Sequence, residues 1–271
     1  FFEWGPTAGL GLVTGTLAIP VPSDTDFTLV NLTPSTTYYY RTVGKNSIKN
    51  LSHKKLIDSH LSGSFGIAHS LLSITGHGLQ PFFSCKKDFS VCHNGQIYNY
   101  LELNKKLSRH NFESDSDSET IAHFLEETDF DLKKFMLTAR GSYSVGVCRK
   151  DGLLAFRDPV GIRPLWFGEN ERFFGFASEP IALKKLGIFF PQPLLPGHSL
   201  SVSKKGLVVK KVFSLLDLKK LIKKNSSFEE LFSSFKESVF VRSKNLKKAA
   251  VLFSGGVDSS LVARLVSDNV S

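Results

Sequence analysis

The chain has 271 residues, 41% hydrophobic and 22% charged, which describes a soluble globular protein of one large domain or two ordinary ones. Its formal charge of +9 is spread as Lys pairs such as Lys204-Lys205, Lys219-Lys220 and Lys247-Lys248, a pattern of solvated faces rather than of nucleic-acid binding. No apolar run approaches a membrane span. The three cysteines, Cys85, Cys92 and Cys148, show neither metal spacing nor a disulfide framework, which favours a reducing compartment.

Residues 1–47 are rich in Thr, Gly and Pro. Phe27–Val30 and Tyr38–Val43 alternate as half-buried strands do, with Leu32-Thr33-Pro34-Ser35-Thr36 as the turn between them. Leu32, Pro34, Tyr38, Tyr40, Arg41, Val43 and Asn46 together resemble the late strands of a fibronectin type III domain. Tyr38 or Tyr40 would be its corner tyrosine. About half of such a β-sandwich is present, since these domains need roughly 100 residues. The expectation is a foreign segment joined at Ser47-Ile48, in a chain that is a fragment at both ends.

From Ile48 the texture changes to short strands and helices. Phe65–His69 and Ser90–His93 read as strands, Asn94-Gly95 as a turn, and Asn99–Ser108 as a helix with Leu103 and Leu107 on one face. A second helix is expected over Glu119–Glu127, behind Asp117 and Ser118 as N-cap residues. Tyr143–Cys148, Leu153–Phe156, Leu165–Phe167 and Phe173–Ala177 then read as four strands, an α+β pattern rich in antiparallel sheet.

Several motifs stand in series here. They are His93-Asn94-Gly95-Gln96-Ile97-Tyr98-Asn99, Ser116-Asp117-Ser118-Glu119, Arg140-Gly141, Arg157-Asp158-Pro159-Val160-Gly161-Ile162-Arg163-Pro164-Leu165 and Ala177-Ser178-Glu179. His53–Ser59 is a blurred further one. Over about 48–200 the chain resembles the class II glutamine amidotransferases. The resemblance implies an Ntn-hydrolase-type αββα layer at 48–210. It implies that the Asn94 amide and the Gly95 N–H form an oxyanion hole, where donors meet the charge of a tetrahedral intermediate. Asp117 would bind the α-ammonium of glutamine, and Leu71, Leu72, Ser73, Ile74, Thr75 and Gln96 would line the pocket. Arg157-Asp158 reads as structural, a charged pair ordering the sheet end.

Three residues depart from the family pattern. No amino-terminal cysteine is present to act as nucleophile, Leu71 stands where the family has an arginine, and Gln96 replaces a Glu. Losing that arginine removes a bidentate grip on the substrate carboxylate. The glutaminase layer is therefore expected to be weakened, leaving free ammonia as nitrogen source. Cys92, in an apolar strand, reads as an inert core thiol.

Beyond 196 a closing hairpin is expected at Leu200–Val209, then a basic connector with a short helix at Leu215–Ile222. Ser227-Phe228-Glu229-Glu230 is a capping box, and Phe228, Leu231, Phe232, Phe235 and Val239 form an apolar stripe behind it. The expected partner of the stripe is a buried strand, Ala249–Phe253, followed by a glycine turn and a helix from Leu261. A glycine turn opening a helix points free N–H groups at whatever lies above it, which suits phosphate. Ser254-Gly255-Gly256-Val257-Asp258-Ser259-Ser260 lacks the Lys of a Walker loop and looks like the pyrophosphate loop of the ATP pyrophosphatases.

Loop and amidotransferase layer together resemble the glutamine-hydrolysing asparagine synthetases, with 227–271 as the start of an α/β ATP pyrophosphatase domain. The resemblance implies that Phe253, Ser254, Gly255, Gly256, Asp258, Ser259 and Ser260 bind ATP and that Asp258 binds Mg2+. It implies a cytoplasmic, homodimeric ligase that adenylates an aspartate carboxylate and amidates it with nitrogen from glutamine or ammonia, with no nucleic-acid or membrane partner. Another amidating or thiolating ATP pyrophosphatase is the alternative enzyme. A surface protein carrying a fibronectin type III module is the non-enzymatic one.

Overall fold

The computed structural model describes residues 15–20, 37–42, 48–52, 65–70, 80–171, 174–203, 206–215, 217, 227–244 and 246–270, the first three stretches as backbone strands. The chain divides into two compact units, Phe1–Asp217 and Leu218–Ser271.

The first unit opens with β1 (Gly15–Pro20), β2 (Thr37–Thr42), β3 (Ile48–Ser52), β4 (Phe65–Ser70), β5 (Phe82–Phe83) and β6 (Phe89–Ile97). Three helices follow, α1 (Tyr100–Lys106), α2 (Asp117–Glu127) and α3 (Leu132–Thr138), then β7 (Gly141–Arg149) and β8 (Gly152–Arg157). The rest is β9 (Trp166–Glu169), β10 (Phe174–Ala177), α4 (Pro180–Lys185), β11 (Gln192–Pro193), β12 (His198–Ser203) and β13 (Gly206–Lys211). They make a seven-stranded sheet in the order β11-β9-β10-β1-β4-β2-β3 and a six-stranded one in the order β13-β12-β8-β7-β6-β5. Neighbours in both sheets are antiparallel.

The sheets share one core. Phe65 and Ile67 of β4 and Phe176 of β10 pack with Cys92, Cys148, Ala155 and Leu200 from the other sheet. Burying each large apolar side chain there contributes roughly 1.5–3 kcal/mol. On the outer face of the six-stranded sheet, Phe135 of α3 meets Tyr143 and Phe156 edge-on at 5.2 and 5.6 Å, and Phe124 of α2 at 5.2 Å. Strands β6 and β7 are therefore buried on both faces along most of their length, although their sequences mix Ser, His, Asn and Gly with the apolar residues. On the other outer face Ala182 and Leu183 of α4 pack on Ala177 and Ile188. This is the αββα layering expected from the sequence.

Two strands from the amino-terminal segment belong to this sandwich. β1 lies between β10 and β4, and β2 between β4 and β3, so both join the same sheet. Phe27–Val30 and the Pro34 turn lie outside the described residues, as does His53–Ser59. Elsewhere the structure corrects local expectations. Asn94-Gly95 is no turn but the interior of β6, opposite Ser144 and Tyr143. α2 begins at Asp117 and its N-cap is Ser116, whose hydroxyl accepts from the Ser118 N–H at 3.3 Å.

In the second unit Ser227 is the N-cap, as expected. The Ser227 hydroxyl accepts from the Glu230 N–H at 3.2 Å at the head of α5 (Phe228–Ser243). α6 (Val257–Ser267) follows the glycine turn, and Asn269 Nδ2 donates to Ser243 Oγ of α5 at 3.0 Å. Ala249–Phe253 is not a strand, and Leu252 is 98% exposed. A strand needs a neighbour to take its N–H and C=O groups, and no described strand pairs here. Without it the apolar stripe of α5 lacks its expected partner: Phe228 and Leu231 are exposed, while Val239 alone of the stripe is buried. The helix expected at Leu215–Ile222 lies largely outside the described residues.

Candidate functional site

β6 is the spine of the site. Asn94 is buried, and its side-chain amide donates to the Ser178 hydroxyl at 3.0 Å, just past the end of β10. Gly95 has φ +145°, and a β-carbon there would collide with the Ser142 carbonyl and stand 2.9 Å from His93 Nε2. Only glycine lets β6 pass this point and keep its pairing to β7. Three residues beyond Asn94, the Ile97 N–H donates to Asp117 Oδ2 at 2.7 Å, which fixes the head of α2 against the strand. Gln96 is half-buried on the same strand. Leu71, Leu72, Ser73, Ile74 and Thr75 lie outside the described residues.

Between these groups lies a buried polar network. The Gln80 side chain pairs with the backbone of His93, accepting from its N–H at 2.6 Å and donating to its carbonyl at 3.0 Å. Gln80 Nε2 also donates to Ser118 Oγ at 3.2 Å, and that hydroxyl lies 3.0 Å from His93 Nδ1. His93 Nε2 and both ring nitrogens of His69 on β4 have no hydrogen-bond partner among the described residues. Burial, reinforced for His93 by the charge of Arg163, pushes the His93 pKa down to about 3. Burial likewise holds His69 well below its ordinary value, so both rings are neutral at physiological pH. Asp117 moves the other way: burial raises its carboxyl to about 6, against the pull of the Ile97 N–H. Unpartnered ring nitrogens and a carboxylate charged against its surroundings are unusual in a purely structural core.

Sequence reasoning singled out Asn94, Gly95 and Asp117 but missed Gln80, His69 and the pairing of His93 with Ser118. These residues lie on β4, on β6, on α2 and in the bend before β5, so no local spacing joins them. Arg157 and Asp158 order the backbone as expected, each through its own hydrogen bonds. Arg157 donates to the carbonyls of Arg163, Leu194 and Gly161 at 2.6–2.7 Å. The buried Asp158 accepts from the N–H groups of Tyr143, Val160, Gly161, Ile162 and Arg163. Of the thiols, Cys92 and Cys148 are buried and Cys85 is exposed; burial pushes Cys92 far up.

Comparison with known proteins fits this geometry. Residues 59–185 match the model of a glutamine amidotransferase domain. The chain carries a class II glutamine amidotransferase domain. A Methanocaldococcus jannaschii protein assigned as a glutamine-hydrolysing asparagine synthetase is 31% identical over 234 residues, covering 78% of this chain and 42% of that protein. The asparagine synthetase of Zea mays is 33% identical over 213 residues, 76% of this chain and 35% of the plant protein. The chain thus spans about two fifths of the curated relatives it matches. Among solved structures, the glutamine phosphoribosylpyrophosphate amidotransferase of B. subtilis aligns with a TM-score of 0.62 at 16% identity, covering 94% of this chain and 64% of that one. That likeness establishes the fold.

The loop 254–260 belongs to the second unit. Gly255 has φ +80° with open space around it, and α6 starts behind Gly256 with no side-chain cap. The hydroxyls of Ser259 and Ser260 turn back on the Gly256 carbonyl at 3.1 and 2.8 Å, and Ser254 Oγ stands 3.1 Å from Ser259 Oγ. Asp258 and Phe253 are exposed. The first-turn N–H groups of an eleven-residue helix thus lie beside three hydroxyls and one carboxylate. No helix among the described residues is long and apolar enough to cross a membrane.

Proposed function

We propose that the chain is the amidotransferase domain and the opening of the nucleotide domain of an asparagine synthetase-like ligase. The observation that carries this reading is the joint occurrence of the amidotransferase domain with an uncapped helix behind Ser254-Gly255-Gly256. Phosphate oxygens of ATP would accept from the first N–H groups of α6 and from Ser254, Ser259 and Ser260, and Asp258 would hold Mg2+ among them. Phe253 would flank the nucleotide. ATP supplies the adenylyl group that turns an aspartate carboxylate into an electrophile. Glutamine or ammonia supplies the nitrogen, and the ligase would work in the cytoplasm as a homodimer.

In the amidotransferase domain, Asp117 would pair with the α-ammonium of glutamine. A cation there draws its carboxyl back toward ionisation, offsetting the burial that raises it. Asn94 and the Gly95 N–H would stabilise the oxyanion. Glutamine hydrolysis is weakened in this reading, because Leu71 lacks a guanidinium and the thiols on β6 and β7 are sealed in the core.

The decisive experiment is magnesium-dependent exchange of pyrophosphate into ATP, driven by aspartate, in the full-length parent enzyme. Exchange that vanishes in Asp258→Asn is expected, and its absence in the unaltered enzyme overturns the ligase. Amide-labelled glutamine tests the weakened donor step, and efficient transfer of its label to asparagine would refute it. The amidophosphoribosyltransferase of Methanothermobacter thermautotrophicus offers a second reading, at 35% identity over 53% of this chain. The wider match to the synthetases favours the first.

A further inference from the structure

A second polar cluster lies at the far end of α2 from Asp117. Cys85 sits in the loop between β5 and β6, His110 in the loop after α1, and His123 and Glu126 one turn apart on α2. One ligand atom from each of the four lies within 4.8 Å of every other. Cys85 Sγ is 3.4 Å from His110 Nδ1 and 3.5 Å from His123 Nδ1. Glu126 Oε2 is 3.3 Å from His110 Nδ1 and 3.9 Å from His123 Nδ1. In a zinc tetrahedron, Zn–S near 2.3 Å and Zn–N and Zn–O near 2.0–2.1 Å put S and N about 3.5 Å apart and N and O about 3.3 Å apart. Of the six edges, three match, the His123–Glu126 edge is long by about half an ångström, and the Cys85–Glu126 and His110–His123 edges lie within 4.8 Å.

The surroundings point the same way. The outer ring nitrogen of each histidine faces its own carboxylate: His110 Nε2 lies 3.1 Å from Glu127 Oε2, and His123 Nε2 lies 3.4 Å from Glu119 Oε1. Each carboxylate selects the Nε2–H tautomer and leaves the Nδ1 lone pair free, and both Nδ1 atoms face the Cys85 sulfur. The Cys85 and Lys86 N–H groups hold the Glu126 carboxylate at 2.8 and 3.2 Å. The Phe112 ring packs edge-on to His123 at 4.6 Å, and the His110 and His123 side chains are nearly buried. Cys85 is exposed, which leaves an entry path.

We propose that Cys85, His110, His123 and Glu126 bind one Zn2+ as a closed, four-ligand structural centre. Thiolate, imidazole and carboxylate donors in a tetrahedron select zinc over the hard cations, which take oxygen, and the four protein ligands leave no open position for catalysis. Loading releases the Cys85 thiol proton to solvent. The ion staples the β5–β6 loop and the chain after α1 to the helix that presents Asp117. The proposal is independent of the glutamine and nucleotide readings. The sequence conceals the site because its ligands come from a loop, a second loop and a helix, with no short Cys/His spacing.

The test is to strip the full chain with chelator and titrate it with Zn2+ and with Co2+. One Zn2+ per chain is expected, surviving gel filtration and raising Tm by roughly 5–10 °C at a hundredfold excess over Kd. The Co2+ form should show intense tetrahedral d–d bands and a thiolate charge-transfer band, which need no variant to be read. Cys85→Ser, at an exposed position, should remove the charge-transfer band, and Glu127→Gln should weaken binding about 10–100-fold. Absence of that band in the unaltered chain, or its persistence in Cys85→Ser, overturns the proposal.

Discussion

The two units of this chain differ most in what they bury. The first buries polar groups: His69, Gln80, His93, Asn94, Asp117, Ser118 and Asp158 are all buried. The second displays hydrocarbon: Phe228, Leu231, Leu252, Phe253 and Val257 face solvent. Exposed apolar residues are ordinary one at a time, whereas a buried polar group costs free energy unless something pairs with it. The first unit therefore concentrates its sensitivity at a few interior atoms. In the second, the local helix contacts carry the stability, and the uncovered side chains contribute little.

The largest break of that contrast is expected at Gly95. Gly95→Val forces a side chain into the Ser142 carbonyl at a positive φ, in the middle of a strand paired along its whole length to β7. A cost of about 4 kcal/mol or more is expected, from strain together with a broken ladder. Chemical denaturation of the first unit measures it. The matched change in the second unit, Gly255→Ala, meets open space and involves only the penalty of its φ of +80°, about 1 kcal/mol.

Acid separates the units next. The His93 pKa in the folded chain, about 3, lies below its unfolded value, so the unfolded state binds the proton first. Stability from this ring is complete above pH 6.5 and falls as pH drops through the window toward 3. His93→Gln should therefore gain on the unaltered protein by about 2–3 kcal/mol between pH 7 and pH 4.5. Asp117 works in the opposite direction, with a folded pKa raised to about 6, so its cost is absent at low pH and grows as pH rises from 4 to 6. Asp117→Asn should gain by about 2 kcal/mol between pH 4.5 and pH 7. Paired urea titrations at the two pH values measure both, and a pH-independent difference in either variant would contradict its assignment.

The same contrast explains what was legible in the sequence. α2 and α5 are readable because Ile121, Phe124 and Leu125, and the Ser227-Glu230 box, are local signals that the fold leaves intact. β6 is readable only to His93, because Asn94-Gly95 has the composition of a turn and only the β7 ladder makes it a strand. α4, of six residues, is too short to show a periodicity, whereas Leu132, Phe135 and Met136 of α3 do stand at helical spacing. Asn94, Gly95 and Asp117 are legible as a motif. The His93–Ser118–Gln80 network and the Cys85–His110–His123–Glu126 cluster arise when separate elements converge. The apolar stripe of α5 is legible as a stripe, but its partner is not, since amphipathicity states that a face wants cover and not what covers it.

The smallest expected effect tests whether the second unit rests on local contacts alone. Ser227→Ala removes the hydroxyl that takes the Glu230 N–H and leaves that donor to water. An N-cap of this kind contributes about 1 kcal/mol to its helix. Leu252→Ser changes a side chain that is almost wholly in water and should lie within about 0.5 kcal/mol of zero. Helical circular dichroism followed through urea should resolve the two, with the cap outweighing the large hydrophobe. The reverse order would mean that Leu252 is covered in solution, and the contrast between the two units would then fail at its second half.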